Sequence, residues 1–270
     1  MPPAKKRPRG YDPVRTRAAV LAQFGNVREA VGGLSERQLA LPAGLGGWSV
    51  RELVAHIAMG VDSVSRYIEQ PAPPGAGSGP AGPVVALTEW PFATARHVGA
   101  ISEDVAALAA SAEPAELFER VAERCAALWP GASGERVLAV RVGAMRLADY
   151  VVTRAVELVV HTDDLNRAAG LSIPYDRQAL AACTRVLADA LAVKAPGAST
   201  EVRVAPYAVV QCVAGPRHTR GTPPNVVETD PLTWTRLATG RTTWTEEIAA
   251  ARVTASGERA DLGGLLPLMR

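Results

Sequence analysis

Between Val151 and Leu165 the chain sets four polar side chains, Arg154, Glu157, His161 and Asp164, at offsets of three, four and three among aliphatic residues. On an α-helix these offsets form one stripe, because residues three and four apart share a face. The other faces carry Val151, Val152, Val156, Leu158, Val159, Val160 and Leu165, and a helix so apolar elsewhere is normally buried. A buried carboxylate and imidazole are costly unless paired or metal-bound. The fold therefore has to supply a use for the stripe.

A second stretch, Trp48-Ser49-Val50-Arg51-Glu52-Leu53-Val54-Ala55-His56, puts another histidine inside an amphipathic helix that Ser49 and Glu52 open as a capping box. Glu157 and His161, four residues and about 6 Å apart along the axis, can present a carboxylate and an imidazole to one ion. With His56 they read as a three-ligand metal site whose fourth tetrahedral position is open, as in catalytic zinc centres. The competing account is an ion-pair ladder, Arg154 to Glu157 and His161 to Asp164, on a wet helix face. It explains the stripe but not His56. Arg154, one turn before Glu157, can orient that carboxylate or bind an acidic substrate, and Asp164 can accept the other ring proton of His161. Surface ion pairing accounts for both equally well. His97 and His218 lack comparable partners, and His218 sits with Arg217 and Arg220 in a loop reading as solvated.

The rest of the composition narrows the class. At 270 residues, 48% apolar and 21% charged, the chain has material for two domains and the balance of a soluble globular protein. Arg141, Arg146 and Arg154 interrupt the most hydrophobic region, so no membrane span is expected. No secretory signal is recognisable, and a cytoplasmic location is the default. Net charge is +2, less than the four positive charges of Lys5, Lys6, Arg7 and Arg9. These residues read as a disordered leader, 1–11, and nothing asks for nucleic acid. Cys125, Cys183 and Cys212 form no Cys-x-x-Cys pair and read as buried thiols of a reducing compartment.

Along the chain, Asp12 and Pro13 begin a first helix with Val14, Ala18, Leu21, Phe24, Val27 and Val31 at helical spacing. The segment 71–83, rich in Pro and Gly, is a flexible loop between helices. Helices are expected from Thr88 or Glu89 to Ala110, from Pro114 to Trp129, from Leu138 to Ala169 with an interruption near Gly143, and from Tyr175 to Lys194. Ala195-Pro196-Gly197 ends a helical domain, 12–195. Beyond it, strands at 201–204, 208–213, 225–229 and 252–256, with helices starting at Asp230-Pro231 and Thr243, make a small α+β unit, 199–270. The fold class is α+β, a helical bundle followed by that unit.

The segment 48–56 and the pattern Arg154-x-x-Glu157-x-x-x-His161-x-x-Asp164-Leu165 resemble the signature stretches of the mycothiol-dependent maleylpyruvate isomerase family, within the DinB-like metal-binding four-helix bundles. The likeness covers about residues 12 to 170. It implies a ligand set of His56, Glu157 and His161, a divalent metal such as zinc, and mycothiol as a thiol cosubstrate. Residues 226–234, 237–240 and 255–262 resemble the sterol-carrier-like domain found behind such bundles in actinobacteria. The resemblance implies an isomerase or S-transferase acting on a small electrophile. A metal-bound thiol becomes a thiolate at neutral pH, although two imidazoles and a carboxylate also suit iron or nickel. The alternative is a non-enzymatic lipid or small-molecule carrier with a vestigial or structural metal, its tunnel lined by Trp234, Leu237, Trp244 and Ile248. Core packing is the competing role for those four, and a third reading is an interaction protein with no ligand.

Overall fold

The Asp12 carboxylate accepts the Arg15 amide at 2.8 Å and opens α1 (Pro13–Gly32). In this computed structural model, residues 9–71, 84–94, 98–216 and 224–269 are described. The leader as far as residue 8, nearly all of the 71–83 loop, His97, Arg217, His218 and Arg220 lie outside them. The buried face of α1 is Thr16, Ala19, Val20, Gln23, Phe24, Val27 and Val31. Val14 and Leu21, expected on that face, are exposed. Gln23 takes an inward place because its amide is satisfied there by Thr162, Pro174 and Asp176.

After the short α2 (Glu36–Leu39), α3 (Val50–Glu69) begins at the Ser49 and Glu52 capping box. Then come α4 (Trp90–Ala93), α5 (Val98–Ser111) and α6 (Pro114–Leu128), so the long helix expected from residue 88 to 110 is described as two pieces. Residues 138–146, expected to be helical, are instead part of a hairpin of β1 (Val137–Val140) and β2 (Gly143–Arg146). Gly143 has φ 131°, a conformation that ends a helix and suits glycine. Leu138, Val140 and Met145 are the hairpin's buried positions.

The stripe-bearing helix is α7 (Leu147–Ala169), closed by Gly170 at φ 65°. Helices α1, α7, α3 and α6 form a closed ring of contacts, each touching the next, which is the four-helix bundle. Phe24 and Phe118 stack inside it with ring centroids 4.8 Å apart.

Helix α8 (Arg177–Lys194) packs on α7 and α1 and also on the C-terminal sheet. That sheet has the order β4 (Ala208–Cys212), β3 (Thr200–Val204), β5 (Val226–Thr229), β6 (Val253–Ser256), with only β3 and β5 parallel. Val202, Val204, Val210 and Val227 are buried, whereas Glu201, Arg203 and Glu228 pair with one another on the outer face. Helices α9 (Pro231–Ala238) and α10 (Trp244–Ala249) complete the unit. Trp234 and Leu237 are core residues while Ile248 reaches solvent, so the four candidate tunnel residues do not share one environment. The three cysteines are free and buried. Among the described residues no helix is long and apolar enough to cross a membrane.

Candidate metal centre

Neighbouring helices α3 and α7 bring the three candidate ligands together. His56 Nε2 lies 3.5 Å from Glu157 Oε2, and His161 Nε2 lies 3.3 Å from the same oxygen. The two imidazoles meet edge to face with centroids 4.8 Å apart, and one ligand atom from each residue lies within 4.8 Å of the others. A tetrahedral ion with ligands at about 2.0–2.2 Å holds its ligand atoms roughly 3.4 Å apart. The donor set thus has the spacing and the chemistry a borderline divalent cation requires.

Electrostatics favour the ligating forms of Glu157 and His56. Burial opposes ionisation of Glu157, but hydrogen bonds from His161 and His56 and the nearby Arg154 charge hold its carboxyl well below the ordinary value. Burial pushes the His56 pKa down, leaving that ring neutral at pH 7. His161 moves the other way: burial would lower it, and the hydrogen bonds to Asp164 and Glu157 raise it. Its Nδ1 lies 3.0 Å from Asp164 Oδ2, which orients Nε2 toward Glu157. His56 Nδ1 is buried without a hydrogen-bond partner among the described residues.

The ion-pair ladder is half present. The His161 to Asp164 rung forms, but among the described residues Arg154 makes no ion pair with Glu157. Its Nε and Nη2 donate to Thr153 Oγ1 at 3.1 and 3.0 Å, and Nη1 donates to the Gly60 carbonyl at 3.5 Å. The guanidinium lies 4.6 Å from the Tyr150 ring centroid and 6.0 Å from that of Trp90. The stripe is no wet face either, since Arg154, His161 and Asp164 are 8%, 9% and 1% exposed.

Beyond the stripe, Asp164 accepts from Arg167 at 2.7 Å and from Arg241 at 3.0 Å. Asp163 is gripped by Arg236 at 2.6 and 2.9 Å. Arg236 and Arg241 come from the C-terminal unit, and sequence reasoning missed both. The only local hint was that Arg241 directly follows Gly240, the last residue of the stretch 237–240.

Two cavities meet at the triad. An outer cleft of about 380 Å³ lies between the bundle and the C-terminal unit, with Leu45, Trp48, Arg241 and Met269 in its walls. An inner pocket of about 120 Å³ runs under the β1–β2 hairpin, past Trp90, Tyr150 and Arg154. His56, Thr94, Ile101 and Glu157 line both.

A ring of four helices with a carboxylate and two imidazoles on neighbouring members, followed by a mixed sheet with helices, defines a four-helix bundle with a candidate metal site and an α+β appendage. Residues 20–166 match the mycothiol maleylpyruvate isomerase N-terminal domain, more than half of the chain, and the protein belongs to that family. Residues 176–268 match the bacterial SCP ortholog family. Among solved structures, the crystal structure of the mycothiol-dependent maleylpyruvate isomerase is 16% identical, covers 93% of this chain and 95% of its own, and superposes with a TM-score of 0.56. A mutant form of that isomerase, 15% identical over the same shares, gives the same TM-score. At such identities the likeness bears on the fold. No curated protein sequence matches the chain with significance.

Proposed function

We propose that the chain is a cytoplasmic, metal-dependent enzyme that uses a small thiol, mycothiol by family membership, to isomerise or thiolate a small electrophile. The observation that carries this reading is the meeting of His56 Nε2, Glu157 Oε2 and His161 Nε2 at ion-binding spacing, bordering the outer cleft. A divalent ion held there, zinc by ligand type, supplies a Lewis acid that lowers the pKa of a bound thiol from about 8.5 to below neutrality.

The chain's own residues do the rest. Glu157 brings one negative charge to the site, and His56 is held neutral for ligation by burial. Asp164 holds the proton on His161 Nδ1 and so keeps Nε2 free as a donor atom. Arg241 fixes Asp164 from the far wall of the cleft, so the C-terminal unit covers the site and steadies it. Arg154 places a positive charge on the inner side of Glu157 without engaging its carboxylate. This division of labour assigns the bundle to 12–195 and the covering unit to 199–270. The family matches part earlier, between 166 and 176, and α8 packs on both sides of the seam.

The test is metal analysis followed by thiol titration. Purified wild-type protein should carry one divalent ion per chain and bind mycothiol, and His56→Ala should lose both. Thiol binding that survives His56→Ala unchanged overturns the proposal.

A further inference from the structure

Among the described residues, the inner pocket holds a cation without a counter-ion. Asp164 is matched by Arg167 and Arg241, Asp163 by Arg167 and Arg236, and Glu157 faces two imidazoles. Arg154 alone in this cluster has no carboxylate within 4.0 Å among the described residues, although it is only 8% exposed. A guanidinium carries five N–H groups. Among the described residues three are engaged, two of them on the same Thr153 hydroxyl and one at 3.5 Å. A buried charge left this way is unfavourable unless something pairs with it.

The space beside it sets what that something is. Met59, Trp90, Val140, Val142 and Tyr150 give the pocket apolar walls. The two other arginines at its edge are committed, Arg66 to Asp62 and Arg141 to Asp104. One guanidinium with two free N–H groups matches the two oxygens of a carboxylate; a phosphate would call for more donors. At about 120 Å³ the pocket is smaller than the roughly 150 Å³ cavity that admits benzene, which limits the guest to about five heavy atoms. Arg154 lies one turn from Glu157, about 4.5 Å along the axis.

We propose that Arg154 is the seat of a carboxylate subsite in the inner pocket, and that it selects electrophiles carrying an acid group on a stem of two or three carbons. The acid end sits on Arg154 under the hairpin, the reacting end lies beside His56 and Glu157, and the thiol enters by the outer cleft. The assignment of the guest as substrate rests on the function proposed above; the anion site itself does not.

Calorimetric titration with propionate, on the full chain both stripped of metal and loaded with zinc, tests the subsite. Wild-type protein should bind propionate saturably. Arg154→Met should weaken binding roughly ten- to hundredfold, the worth of hydrogen bonds to a charged group, and Arg154→Lys, lacking the fork, should recover only part. Val142→Phe fills the pocket while leaving the arginine in place, and should also abolish binding. Because it leaves the buried cluster untouched, it decides the matter if Arg154→Met fails to fold. Absence of propionate binding to the wild type, unchanged affinity in Val142→Phe or in folded Arg154→Met, or a preference for inorganic phosphate overturns the subsite. Loss of metal and thiol binding with Arg154-dependent propionate binding intact would instead count against the enzymatic reading alone.

Discussion

Asp164 Oδ2 lies 3.0 Å from His161 Nδ1 and 3.0 Å from Arg241 Nη2, so one carboxylate ties a candidate metal ligand on α7 to an arginine of the C-terminal unit. The orientation of the ring is thereby set from outside the bundle. Partners of this kind commonly matter nearly as much as the ligands themselves.

Asp164→Asn is expected to lower zinc affinity about 10- to 100-fold, measured by chelator competition. It should also change the acid limb of stability. Burial opposes ionisation of Asp164, yet His161 and Arg241 outweigh it and hold the carboxyl far below the usual range. Such a group stabilises the fold fully above its unfolded value, about 3.9, and the contribution is lost as pH falls through the lower folded value. The stability gap between wild type and Asp164→Asn, both metal-free, should widen as pH falls through the raised folded value of His161 toward about 6.5, because Asp164 helps hold that proton, and shrink below about pH 4.

Arg236→Ala is expected to cost roughly 1.5–3 kcal/mol in urea unfolding, the worth of charged hydrogen bonds to a buried partner. Asp163 is 3% exposed, and among the described residues it would keep only Arg167 at 3.2 Å and the Tyr175 hydroxyl at 3.3 Å. No loss of stability would show that the Arg236–Asp163 pair adds nothing to the docking of the two units.

Phe118→Ala empties one half of the Phe24–Phe118 stack at the centre of the bundle. A loss of about 3–5 kcal/mol is expected, read as a lowered thermal midpoint with metal removed. A change under about 1 kcal/mol would mean that the bundle closes over the gap.

Two glycines should respond with opposite signs to alanine. A Cβ on Gly197 would run into the Val213 carbonyl group, so Gly197→Ala must push β4's end away from the α8 exit and destabilise the C-terminal unit. Gly25, inside α1, meets nothing within 4 Å, and Gly25→Ala should stabilise by about 0.5–1 kcal/mol. Thermal unfolding of the two variants side by side checks both.

Much of the architecture was legible because its signals are local. Asp12, Ser49, Asp230 and Thr243 announce helix starts through side chains that reach backbone donors two or three residues on. The hairpin at 137–146 was not legible, since Leu138, Ala139 and Val140 fit a helix as well as a strand and only the bundle surface beneath them decides. The inward face of α1 was read with Val14 and Leu21 in it, because hydrophobicity alone cannot foresee that Gln23 is buried with its amide satisfied across the core.

For the site the division is similar. Residue order alone determined that Glu157 and His161 share a helix face and that His56 lies inside another helix, because 3.6 residues per turn is a property of the backbone. Only the tertiary structure decided that these faces meet, that Arg154 turns to Thr153 and the inner pocket instead of Glu157, and that Arg241 closes on Asp164. Those outcomes depend on which helices neighbour each other and which charges are buried together, and both arise from packing between segments far apart in the chain.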